Sequence, residues 1–126
     1  MQMNESTLED PRMSALAMFQ AAVTAPDAPR EPGRIAAGLA HAVKDACAAS
    51  GLAAADITAW GPIVTMIFSD TAAWEAVVVG PDAYQFYPGF IRDDEIVWPN
   101  IWVADNYPLE QFLRELTAEL AAASGG

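Results

Sequence analysis

An α+β fold is what this chain predicts: two N-terminal helices, an antiparallel meander sheet of four to six strands, and one C-terminal helix packed on the same face. Three observations carry that expectation. Apolar residues recur at helical spacing near both ends of the chain. Between those stretches, short apolar or alternating runs are punctuated by Gly, Pro and Asp. The gaps between the runs are far shorter than the dozen or so residues of a parallel crossover, so antiparallel hairpins are expected.

At 126 residues the chain is expected to form one domain over 1–126, with 1–9 and 122–126 frayed. The first helix starts either from a capping box at Ser6-Thr7-Leu8-Glu9 or from Asp10 as N-cap with Pro11 at its first position. Leu16, Phe19 and Val23 lie on one side of it. Pro26, Pro29 and Pro32 then make 25–32 a stiff connector, because proline fixes φ and lacks an N–H. A second helix is expected from about 33 to 50. Its apolar stripe is Ile35, Leu39, Ala42, Val43 and Ala46, and its other face carries Arg34, His41, Lys44 and Asp45. Gly51 is placed to end it in the left-handed conformation, with Leu52 as the apolar contact just beyond.

The middle reads as sheet. Strands are expected at 57–60, 63–68, 74–79, 83–87, 95–98 and 101–104. The run 63–68 is apolar on both faces apart from Thr65, the pattern of a strand covered on both sides. Gly80-Pro81-Asp82 and Asp93-Asp94 are turns, and Pro88-Gly89 is expected to end the fourth strand. The last helix has Asp105 or Asn106 as cap and Pro108 in its first turn. Its stripe is Leu109, Phe112, Leu113, Leu116 and Leu120.

Charge is unevenly divided. Residues 1–50 hold six acids and four bases, whereas 51–126 hold eleven acids and only Arg92 and Arg114 as bases, for a net charge of −11 overall. Phosphate contacts need Lys or Arg, so direct nucleic-acid binding is not expected, and anionic membrane surfaces are disfavoured for the same reason. No apolar run is long enough to span a bilayer, and the N-terminus lacks the basic and apolar regions of a signal peptide. A single cysteine makes no internal disulfide, and a reducing cytoplasm is the expected compartment.

Few side chains are available for chemistry. His41, the only histidine, stands one turn before Asp45, but no serine or cysteine is placed as its nucleophile, and an exposed histidine on a polar face is expected. Cys47 falls near a helix C-terminus, where the dipole disfavours a thiolate, and is expected to be structural. The carboxylates of 93–95 lack the spacing of a calcium loop, and no zinc, P-loop, dinucleotide or hydrolase motif is present. No metal or cofactor is therefore expected, and no catalytic residue is assigned.

The aromatic load offers another use. Trp60, Trp74, Trp98 and Trp102, with Tyr84, Phe86, Tyr87, Phe90 and Tyr107, exceed what a small core is expected to bury. Aromatics beside carboxylates are the composition of an interface hot spot with a charged rim. The expected partner-binding residues are Tyr87, Trp98 and Trp102 as anchors, and Asp82, Asp93, Asp94, Glu95 and Asp105 as rim. In size, charge and layout alone, the chain resembles small immunity proteins and phage anti-defence inhibitors, which offer acidic surfaces to basic partners. The expected function is therefore a non-enzymatic inhibitor that occupies a basic protein surface. A secretion chaperone, which would be a homodimer, and a small ligand-binding domain or enzyme with an aromatic pocket are the alternatives.

Overall fold

A computed structural model describes residues 11–52, 55–69, 72–93, 95–97 and 106–123. The elements are α1 Pro11–Thr24, α2 Pro32–Ala49, β1 Asp56–Trp60, β2 Ile63–Ser69, β3 Ala72–Gly80, β4 Ala83–Arg92, β5 Glu95–Val97 and α3 Leu109–Ala123. The strands form one antiparallel sheet in sequential order, β1-β2-β3-β4-β5, the expected meander. The strand expected at 101–104 lies outside the described residues.

Local chemistry sets the ends of α2. Pro32 opens this helix rather than closing the connector, because the first helical N–H groups have no intrahelical partner and its missing donor is not needed. At the other end Gly51 adopts φ 79. The Leu52 N–H donates to the Cys47 carbonyl at 2.9 Å and the Gly51 N–H to that of Ala48 at 3.4 Å. These are the paired bonds of a Schellman ending, and Leu52 packs against the core as its apolar partner. Ala36, Ala40 and Cys47 are buried in addition to the expected stripe. The reason is that α2 packs against α1 as well as against β1, β2 and β3.

One face of the sheet makes the core. Ile57 of β1, Val64 and Met66 of β2, Ala76 and Val78 of β3, and Tyr84 and Phe86 of β4 are aligned by the ladder and all buried. They form one cluster with the stripes of the three helices. Phe112 of α3 stacks on Tyr84 with ring centroids 4.7 Å apart and meets Phe86 edge-on at 5.5 Å. Trp74 stacks on Phe86 at 4.3 Å. Leu116 and Leu120 are fully buried, each contributing about 1.5–3 kcal/mol by the area it removes from water.

Two expectations at the far side of the sheet need correction. First, β4 continues through Pro88-Gly89 to Arg92. Tyr84 exchanges both backbone bonds with Tyr107, away from β3, and the two-residue period aims position 88 the same way. Pro88 therefore lacks a donor on the outer side and leaves the β3 ladder intact. Second, the start of α3 is capped from a distance. The Leu109 N–H donates to Asp82 Oδ1 at 2.8 Å, from the β3–β4 turn. Asn106 instead accepts a bond from Gln85 Nε2 at 3.3 Å, and Asp105 lies outside the described residues. At its other end α3 runs to Ala123, into the tail expected to fray.

The sheet edges differ. β1 is an outer strand with no proline, no lysine and no bulge in its ladder to β2. The β4 side is occupied by the Tyr107 bridge, by Pro88 and by the three-residue β5. No helix among the described residues is long and apolar enough to cross a membrane.

Candidate partner-binding face

Side chains alternate across a strand, so the ladder that buries one face defines the other. Three rows cross β1 to β4 on that second face. The central row is Thr58, Thr65, Glu75 and Tyr87. On one side of it lie Trp60, Ile63, Val77 and Gln85, and on the other Asp56, Ile67, Ala73 and Gly89. Ile63, Ile67 and Val77 are half-buried and Ala73 is buried at 1% exposure, yet none of the four belongs to the core cluster that the described helices cover. Of the two faces expected to be covered at 63–68, the described helices cover one, and β2 keeps half-buried aliphatic residues on the other.

Trp60 dominates this face. It is 84% exposed at the end of β1. Gly61 follows with φ 57 and Pro62 with its fixed negative φ, the two-residue sequence that a type II′ hairpin requires. The turn abuts α2, where a Cβ on Gly33 would lie 3.9 Å from the Gly61 backbone. The tryptophan is therefore carried on a short, braced hairpin.

Electrostatically the face is acidic and uncompensated. Its register positions hold Asp56 and Glu75 and no base. Partial burial pushes the Glu75 carboxyl above its usual range. Among the described residues no cation forms an ion pair with it. Its cross-strand neighbour Tyr87 donates its hydroxyl to Gln85 Oε1. Burial first, and then the Glu75 charge, raise the Tyr87 phenol.

The expected partner-binding residues are distributed over three places. Tyr87 lies on the open face. Asp82 is exposed at the β3–β4 turn, where its carboxylate satisfies the first N–H of α3 and stands beside the helix's positive end. It also raises the phenol of buried Tyr84, which burial has already raised, to about 12, and Tyr84 donates to the Pro81 carbonyl at 3.0 Å. Asp93 and Glu95 are exposed at the β4–β5 turn, with Asp93 at φ 52, a conformation that aspartate tolerates. Asp93 is roughly 20 Å along the strand from Tyr87. Asp94, Trp98, Trp102 and Asp105 lie outside the described residues.

Trp60 and Glu75 were not among the expected site residues. The signal for them is a mismatch: a sheet with aliphatic residues on both faces, and three helices among the described residues to cover it. His41 and Asp45 are exposed on α2, as expected. Cys47 is buried, and burial pushes its thiol up to about 11. No group of three or more His, Cys, Asp or Glu residues is placed to hold a metal ion among the described residues. Grooves of about 290 Å³ between α1 and α3 and about 310 Å³ between the connector and the β3–β4 turn gather no cluster of reactive side chains.

No family model, no curated protein and no solved structure matches this chain.

Proposed function

We propose that this chain is a small acidic protein-binding module that inhibits a basic partner protein by docking the open face of its sheet onto it. The observation that carries this reading is Trp60, 84% exposed beside half-buried aliphatic residues that no described helix covers. An exposed indole beside apolar surface and carboxylates has the composition of a hot spot with an acidic rim. Four strands at their usual spacing present roughly 400 Å² of face, whereas a standard interface takes about 800 Å² per partner. The contact therefore extends past the face. The β4–β5 turn, with Asp93 and Glu95, and the β1 side, with Asp56, supply the rim. The net charge of −11 selects a basic partner and opposes a second copy. A reduced, buried Cys47 fits action in the cytoplasm.

The test is a purified binary complex. A basic protein that co-purifies from the native host is expressed alone, and its affinity is measured for wild type and variants. Trp60→Ala is expected to cost about 2 kcal/mol or more, mainly through faster dissociation. Reversal of Asp93 and Asp94 to lysine is expected to slow association and flatten its salt dependence. Binding that ignores these changes, and fails when Arg30, Arg34 and Lys44 are neutralised, would move the interface to the helical side and end this reading.

A further inference from the structure

We infer that Glu75 receives one arginine side chain of the partner, held between Tyr87 and Thr65 at the centre of the open face. This rests on the docking face proposed above and names what that face reads.

The argument starts from position. Glu75 lies in the middle of the central row, with Thr65 across the ladder on one side and Tyr87 on the other. Buried Ala73 and half-buried Val77 stand before and after it on β3, with Ile67 and Ile63 opposite them on β2. A carboxylate set in an apolar surround has lost part of its hydration, and an unpaired charge in that state is unfavourable. Nothing in the described chain compensates it: no base shares the face, and no ion pair reaches it. The Tyr87 hydroxyl is already committed to Gln85. When a partner covers the face, the remaining water leaves and the missing cation must come from that partner.

Arginine fits this surround better than lysine. Its guanidinium is planar and weakly hydrated, pairs in a fork with a carboxylate, and stacks on aromatic rings. The face supplies a carboxylate and, next to it, a phenol ring. A second copy of this chain brings no such group, because it would set one acidic face against another.

The experiment selects a random dodecapeptide phage library on the immobilised native protein. Enriched peptides are expected to share an arginine flanked by apolar residues. In a synthetic enriched peptide, replacing that arginine by citrulline, which keeps the shape and removes the charge, is expected to weaken binding at least tenfold. Glu75→Gln is expected to do the same with an unchanged circular-dichroism spectrum, whereas Glu110→Gln on α3 leaves affinity as it was. Peptides that are lost with Trp60→Ala but keep their affinity for Glu75→Gln would overturn this inference and leave the docking face standing. Peptides that accept lysine equally would overturn the choice of arginine. Peptides insensitive to both substitutions, or no enrichment at all, would count against both the inference and the face.

Discussion

Glu75 is a carboxylate that the fold holds at a cost, and that cost has a pH signature. Partial burial disfavours its charged form, so its folded-state pKa lies above the unfolded value. A raised group contributes stability that is fully present below the unfolded value, about 4.3 for glutamate, and is lost as pH rises through the folded value. Glu75→Gln removes that loss. The variant is expected to melt above wild type at pH 7, with the difference vanishing as pH falls toward 4 in paired thermal scans. Because the side chain is only half-buried, the gain is expected to stay under about 1 kcal/mol. A variant that melts lower at neutral pH would show that the carboxylate is compensated. Single residues were legible in the sequence where their role is local: Gly51 ends a helix, and His41 faces solvent. Glu75 and Trp60 were not, because their meaning depends on which face of a sheet the helices leave open.

At the scale of elements, α3 shows what periodicity reveals and what it hides. Its stripe is read directly from 3.6-residue spacing, and Phe112, Leu113, Leu116 and Leu120 are all buried. Leu116→Ala is expected to cost about 2–5 kcal/mol as a large-to-small change in a closed core. Ala118→Glu on the exposed side is expected to change stability by no more than about 0.5 kcal/mol. Urea titrations of both variants check the pair, and equal costs would mean that the faces are misassigned. The cap was hidden because Asp82 comes from 27 residues upstream, which no local pattern reports. Asp82→Ala should destabilise the protein by about 1 kcal/mol, the usual value of a lost cap, and Asp82→Asn by less, since an acceptor oxygen remains. Equal stability of all three proteins would show that solvent serves the Leu109 N–H as well. β4 was under-read for a related reason. Pro88 reads as a stop when its neighbours are unknown, and as harmless once its ring faces away from the β3 ladder.

For the whole molecule, layer order and meander topology followed from the run lengths and the short connections. What covers the second face of the sheet did not, because a hydrophobic pattern records that a residue avoids water and not what it packs against. The core is continuous over three helices and one sheet face, with Cys47 inside it as a free thiol. Thermal melts with a chelator or a reductant are accordingly expected to match the untreated melt within about 5 °C, roughly 1 kcal/mol for a domain of this size. A larger drop would point to a metal or a cross-link that supports the fold.

The unequal edges of the sheet also limit how many chains can join. A β-sheet grows without end only when each subunit offers two pairing edges, one to receive a strand and one to pass the template on. Among the described strands β1 offers the one unguarded edge, while the opposite side is shortened, bridged and interrupted by a proline. Any pairing along β1 consumes the one such template among the described strands. Edge association through the described strands is therefore expected to stop at a pair, which sedimentation at rising concentration would check as the absence of species larger than a dimer.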